Sequence, residues 1–405
     1  MLMLHLNIRA HLNRSGILSK TLINMGLLDE LISGFLFIGL PLVRDQLGLS
    51  YEQLGLLFTV GACSGMILDP ILSLLSDRSS KRWWILAGFL GLAVGFALLG
   101  SVQNFALLLA TFVLIFPADS AAVGLSEAAL IDIAPNDSVR TMTRWTLLSS
   151  IGDLLSPLAV TAVLAIGLGW SGLCWVAAGL WLASALLIWP QRFPSPTHFL
   201  VNSEDTPTVA VLASLRQALH DPLLLRWAAL SILPTMLDEV FLTFAILYLR
   251  DVLHASELVI GLTIGIQMIG TILGLVVVER LVGRVKPQRL LSCYALLTLI
   301  AVIGFLIIRS TWIAPFWLFL IGFGASGLYP IAKAEAYTRQ PGHSGTVRAI
   351  INLGAPFEVA LPGIAGLIAG RFGILASLAF LGFAPLLILI LIPRRIPKLT
   401  HSPAA

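Results

Sequence analysis

Long apolar runs make up most of this chain, and polar residues fall in short breaks between them. A helix needs about 20 mostly apolar residues to cross a bilayer. Twelve runs of that size can be marked, at roughly 22–43, 53–75, 83–102, 105–131, 141–166, 170–190, 227–249, 257–278, 289–308, 312–337, 346–370 and 373–392. The connections are short except around 191–225. There Pro190, Pro194, Pro196, Pro207 and Pro222 stand among Ser, Glu, Asp and His, the signature of a linker. Within it, Val209 to Leu219 has the pattern of an amphipathic helix lying along a membrane surface. The pattern predicts an all-α integral membrane protein with twelve transmembrane helices in two six-helix pseudo-repeats. Its divisions are a tail 1–20, a bundle 21–190, the linker 191–225, a second bundle 226–393 and a tail 394–405.

The polar breaks repeat. Leu28-Asp29-Glu30-Leu31 precedes Arg44-Asp45, then Leu49-Ser50 and Gly55-Leu56. Leu237-Asp238-Glu239-Val240 precedes Arg250-Asp251, then Ala255-Ser256 and Gly261-Leu262. The acid pairs are offset by 209 positions (29 to 238) and the Arg-Asp pairs by 206 (44 to 250). A shared ancestor for the two halves explains the match. Charge inside an apolar span is costly and marks function by default, so Asp29, Glu30, Asp238 and Glu239 are candidate functional acids. Neighbours on a helix point about 100° apart, so one acid of each pair can face a central cavity squarely, and the sequence leaves open which.

Composition and charge sharpen this. Hydrophobic residues are 58% of 405 and charged residues 11%, far below the roughly one quarter usual in soluble domains. With the N-terminus in the cytoplasm, twenty Lys and Arg fall on the cytoplasmic side and four (Arg44, Arg250, Arg309, Arg371) on the other. That bias predicts a multi-pass protein of the inner (plasma) membrane with both termini cytoplasmic. It also accounts for the net charge of +4 without any nucleic-acid partner. The N-terminal basic stretch runs straight into a full span, which argues against a cleaved signal. Cys63, Cys174 and Cys293 lack paired spacing, so neither a disulfide framework nor a metal site is expected.

Ile38-Gly39-Leu40-Pro41, Leu47-Gly48-Leu49-Ser50 and Gln53-Leu54-Gly55-Leu56 are similar to the first two helices of bacterial drug/proton antiporters of the major facilitator superfamily. The loop Ser73 to Arg82 resembles that superfamily's G-x-x-x-D-R-x-G-R-R motif: Asp77, Arg78, Lys81 and Arg82 match in character, while Ser73 and Ser80 replace both glycines. The resemblance implies the superfamily's fold and a cytoplasmic gate, in which Asp77 accepts hydrogen bonds from a helix N-terminus of the other half. Topology is the competing reading for Asp77, and the leading one for Lys81. The counterpart after span eight, Glu279-Arg280-Leu281-Val282-Gly283-Arg284, is looser. In span five, Gly152-Asp153-Leu154-Leu155-Ser156-Pro157 partly matches the antiporter signature G-x-x-x-G-P, with Ser156 for the second glycine.

The repeat adds two further relations. Asp153 and Glu358 each stand four residues before a proline, Pro157 and Pro362; Glu127 and Lys333 each stand eight before one, Pro135 and Pro341. In the superfamily's fold, spans four and ten lie across the pseudo-twofold axis, which implies a Glu127–Lys333 ion pair. The mid-membrane inventory is then nine acids (Asp29, Glu30, Asp69, Asp119, Glu127, Asp153, Asp238, Glu239, Glu358) and Lys333. Nine carboxylates in low dielectric repel one another, so several are expected to carry protons. Asp69 before Pro70 and Asp119 after Pro117 also read as simple caps or kinks.

No Walker loop, HExxH, GxSxG or paired-Cys site is present, and every His lies in a tail or loop, which argues against an enzyme or a bound cofactor. The expected function is secondary transport of a small organic solute, coupled to protons, with efflux favoured. Proton-coupled movement of an organic anion or sugar is the alternative, since Lys333, Arg144 or Arg348 could bind an anion. A non-transporting receptor or scaffold would not need so many buried carboxylates. The expected partners are the solute, protons and lipid, with the protein a monomer.

Overall fold

The computed structural model describes residues 2–77, 79–193, 215–237 and 239–393. Twelve helices are long and apolar enough to cross a membrane: α1 (Gly16–Leu47), α2 (Glu52–Ser76), α3 (Lys81–Gly100), α4 (Phe105–Ile133), α5 (Ser138–Ala165), α6 (Gly169–Ile188), α7 (Pro222–Asp251), α8 (Glu257–Leu281), α9 (Pro287–Ile307), α10 (Ala314–Thr338), α11 (Ser344–Phe372) and α12 (Ile374–Leu391). The helix containing α1 begins at Leu2, so the basic segment read as a tail is continuous with it. Most of the linker and the C-terminal tail lie outside the described residues.

The repeated serines start equivalent helices. Ser50 and Gln53 form a reciprocal capping box at the head of α2, and Ser256 accepts from the Val259 N–H at the head of α8. Helix interruptions repeat too. A π-helical turn, Ser120–Gly124, widens α4 just after Pro117, and α10 breaks between Ala325 and Leu328, about 206 residues later. Pi turns of this kind recur at functional sites.

Each half packs around its own apolar cluster. One includes Leu22, Ile32, Phe89, Phe112 and Trp181; the other includes Trp227, Phe241, Tyr248 and Phe305. In the first half α1 lies against α5 and α6, and α3 against α4 and α6; in the second, α10 lies against α7, α8 and α9. Gly152 lets α1 and α5 approach, since a Cβ there would fall 2.3 Å from the Leu27 carbonyl oxygen, and the Ser156 hydroxyl donates to the Leu31 carbonyl at 3.2 Å. Trp83, Trp189 and Trp312 are exposed at helix ends, as an interfacial belt requires. Trp170 and Trp227 instead are core: Trp170 donates to the Leu99 carbonyl and Trp227 is fully buried.

The halves meet along α2–α11, α4–α11, α5–α8 and α5–α10. Ile131, Val139 and Met142 of the first half join the apolar cluster of the second. The hydrogen bonds that join the halves gather toward the end bearing loops 77–80, 134–137, 282–286 and 339–343. That end carries most of the Lys and Arg, and it is called the basic end below.

Candidate functional site

The basic end is closed by an aspartate set against a helix N-terminus. Asp77 follows the last turn of α2 and accepts from the Gly345 N–H (2.8 Å), the Thr346 N–H (2.7 Å) and the Thr346 hydroxyl (2.9 Å) in the first turn of α11. These amides have no partner within their own helix, and the dipole there favours a negative charge. Lys81 joins the same contact: its ammonium lies 3.2 Å from Asp77 and 2.5 Å from Asp132, and donates to the Ser344 hydroxyl, which donates onward to Asp132. Its part therefore goes beyond fixing topology. Arg82 stays within its own half, donating to the Trp189 carbonyl and lying over the Trp83 ring. Arg78 lies outside the described residues.

Between the halves lie two further ion pairs, each joining the second helix of one half to the fifth helix of the other. Asp69, on the second helix of the first half, pairs at 3.2 Å with Arg348 on the fifth helix of the second. Glu279, on the second helix of the second half, pairs at 2.7 Å with Arg144 on the fifth helix of the first. The two differ in burial. The Asp69 and Arg348 side chains are only 13% and 12% exposed, against 28% and 52% for Glu279 and Arg144. Asp69 also accepts from Ser73 (3.2 Å), Ser120 and Asn352. It is thus a knot of three helices rather than a cap. Nearby, Arg140 donates to the Val282 carbonyl, and Glu279, the acid of the looser motif counterpart, meets Arg144 rather than a helix N-terminus.

Glu127 and Lys333 meet at 2.8 Å, each about 5% exposed. They occupy equivalent positions, so their contact lies on the pseudo-twofold axis. Tyr337 donates to Glu127 at 3.2 Å, and Lys333 also donates to the Tyr329 hydroxyl and lies over its ring. Every polar atom of this buried pair is directed at a partner, which buried charge requires.

Away from the basic end the acids outnumber the cations, and Arg348 is the cation that faces Asp119. The carboxyls of Asp29 on α1 and Asp119 on α4 are within hydrogen-bonding contact, with Glu30 and Asp153 the next charges. Asp29 and Glu30 are both half-buried, and Ser33 donates weakly to Glu30 at 3.4 Å. Asp153 is exposed. In the second half Glu358 is exposed and accepts from the Thr235 hydroxyl at 3.2 Å. Asp238 lies outside the described residues, and Glu239 opens the helical stretch Glu239–Asp251. Among the described residues no cluster of His, Cys, Asp and Glu could hold a metal ion.

The structure therefore brings together Glu127 with Lys333, Asp77 with Lys81, and Asp29 near Asp153. It adds Asp132, Ser120, Gly345 and Asn352, to which sequence reasoning gave no role, and it gives partners to Asp69 and Asp119, read as either buried acids or caps, and to Arg348, read as a candidate anion binder. Part of the missing signal lay in helix roles: each half offers an acid on its second helix and an arginine on its fifth, at offsets of 210 and 204 rather than 206.

The sequence profile of the Major Facilitator Superfamily matches residues 22–357 and again 228–404. Among curated proteins none matches significantly. Among solved structures, a point variant of the E. coli fucose:proton symporter FucP is similar with a TM-score of 0.80 and 15% identity, over 92% of this chain and 97% of that one. FucP in an outward conformation aligns over the same shares with a TM-score of 0.78 and 17% identity. The human organic anion transporter MFSD10 (TETRAN) aligns over 94% of this chain and 99% of its own, with a TM-score of 0.71 and 19% identity.

Proposed function

The chain belongs to the Major Facilitator Superfamily, and from that premise we propose that it is a proton-coupled secondary transporter that exports a small organic solute by antiport. The observation that carries the proton coupling is the carboxyl–carboxyl contact of Asp29 with Asp119. Ionised carboxylates only accept hydrogen bonds, so such a contact needs a proton on one partner. That proton sits between two helices of one half, on the side of the interlock away from the basic end. By the positive-inside rule the basic end is cytoplasmic, so this state is closed to the cytoplasm.

A cycle follows from the charges. A proton from outside occupies the Asp29–Asp119 pair while the Asp77 latch is shut. When the latch opens, the proton leaves toward the cytoplasm and two like charges remain on adjacent helices. A cationic or amphipathic amine relieves that repulsion and binds in its place. Glu30 and Asp153 bias the same space toward positive cargo. A second reading, symport of an organic anion or sugar, draws on Lys333, whose ammonium an anionic group could take from Glu127.

Inside-out membrane vesicles with an acidified lumen and a pH-sensitive dye separate the two. Adding an exported amine outside should release lumenal protons, whereas cotransported cargo should acidify the lumen further. Asp29→Asn and Asp119→Asn should each abolish the proton signal while downhill solute exchange persists. Full proton movement in both amides would refute coupling through this pair.

A further inference from the structure

Arg348 links two places that the transport cycle must keep in register. Its Nε and Nη2 donate to Asp69 at 3.3 and 3.2 Å, and Nη2 also reaches the Ser120 hydroxyl at 3.4 Å. Ser120 follows Asp119 directly in the chain and opens the π turn of α4. Gly124 closes that turn. A Cβ there would fall 2.0 Å from Nη2, 2.2 Å from Cζ and 2.6 Å from Nη1 of Arg348. An arginine of the second half thus crosses the bare backbone of α4 to reach an aspartate on α2. The widened turn and its glycine make the slot it passes through.

Nη1 of this guanidinium donates to no partner among the described residues. The charged and titratable groups facing Arg348 are Asp69 from α2, Asp119 and Glu127 from α4, and Tyr329, Lys333 and Tyr337 from α10. Asn352 on its own helix shares Asp69 with it. The Asp29–Asp119 pair in turn faces Glu30, Asp153, Asp69 and Arg348.

We infer that Arg348, seated in the Gly124 slot, is the positioning residue that reports the protonation of the Asp29–Asp119 pair to the basic-end gate. The inference rests on the proton-coupled reading above. With the pair holding its proton, Arg348 belongs to Asp69 and the α2–α11 seam is able to shut. When the proton leaves, Asp119 becomes a full carboxylate one residue from Ser120 and draws the guanidinium, through its unused Nη1, away from Asp69. The opened seam then lacks its deepest ion pair and does not re-close until cargo or a new proton neutralises the acids. Arginine suits this because its planar fork can address two carboxylates at once, which an ammonium cannot.

The test uses the full chain in vesicles, with Cys63, Cys174 and Cys293 replaced by Ser and Met142→Cys as reporter. Met142 is buried in the seam between the halves in this state. Its labelling by an impermeant maleimide from the basic side is followed against pH. The parent should label at least fivefold faster at high pH than at low pH. Arg348→Lys and Gly124→Ala, one changing the reporter group and one only its slot, should both give flat profiles. Asp77→Asn should shift the whole profile and keep its slope. A pH slope retained in either Arg348→Lys or Gly124→Ala overturns the role of Arg348. A parent with no slope overturns the proton-coupled reading and this inference together, so the two failures are distinct.

Discussion

Adding one methyl group at Gly345 should open the basic end. A Cβ there would lie 2.0 Å from the Ser73 carbonyl oxygen, 2.7 Å from Asp77 Oδ1 and 2.8 Å from Ser76 Oγ. Ser73 belongs to the backbone of α2, which cannot yield like a side-chain tip. To regain an ordinary contact of 3.4 Å, α11 must withdraw by about 1.4 Å. The Asp77 bonds to Gly345, Thr346 N–H and Thr346 hydroxyl, now 2.7 to 2.9 Å, would then stretch past hydrogen-bonding distance. Bonds to a charged group contribute roughly 1.5–3 kcal/mol each. Allowing for water that replaces part of the loss, about 3 kcal/mol leaves the closed state, or roughly 100-fold in the closed-to-open ratio at 1.4 kcal/mol per tenfold. The fold itself should not suffer, since Ala favours helix over Gly by up to about 1 kcal/mol. Labelling of Met142→Cys from the basic side should therefore rise by one to two orders of magnitude in Gly345→Ala. Asp77→Asn, which loses the charge but keeps an acceptor oxygen, should give a smaller rise. Unchanged labelling in Gly345→Ala, in protein that still extracts as a folded monodisperse species, would show that the latch does not hold this state closed.

Glu127→Gln or Lys333→Gln leaves a charge buried and unpaired, at a cost of about 3–5 kcal/mol, which a thermal-shift assay should read as lower stability of the detergent-solubilised protein. The swap Glu127→Lys with Lys333→Glu should recover part of that loss, because the Tyr337 and Tyr329 hydroxyls can each donate or accept; a swap no better than the single variants would refute the pairing. At the other seam, Glu279→Gln should change Met142→Cys labelling less than fivefold, since a pair as exposed as Arg144–Glu279 contributes at most about 1 kcal/mol. Asp69→Asn, at the buried counterpart, should change it more than tenfold, and equal effects at the two seams would contradict the ranking by burial.

The twelve spans were legible because each is an uninterrupted apolar run, and the bilayer sets its length. Glu127 and Lys333 were legible for a different reason. A position that meets its own repeat across a pseudo-twofold must lie near the axis, and opposite charges there can only attract. The gate was half legible. Asp77 carried a motif, but the motif is silent on Gly345, whose hydrogen is needed because Ser73 stands against it. Asp69 and Asp119 were obscured by Pro70 and Pro117, since an acid beside a proline reads locally as a cap or kink. Their actual partners, Arg348 and Asp29, are 279 and 90 residues distant in the chain, and no local period connects such positions. The π turn was invisible for the same reason, as it lies where a guanidinium from the other half meets α4 at Gly124.

The repeat also shows where the two halves ceased to be equivalent. Each half offers an acid on its second helix and an arginine on its fifth, and so two seams of the same design. In α2–α11 the pair is buried, Ser73, Ser120 and Asn352 complete the acid's shell, and Asp77 adds a helix-terminus latch. In α5–α8 the pair is half exposed, and the place of the latch is taken by a single bond from Arg140 to the Val282 carbonyl. A charge pair open to water holds little and a desolvated, fully bonded one holds much, so the seams have unequal strength. The strong seam is also the one whose Arg348 faces Asp119 and whose Ser120 follows that acid in the chain. On the proposed cycle, opening at the basic end would be set by α2–α11, whose Arg348 and Ser120 adjoin the acid pair, with α5–α8 the weaker seam that follows.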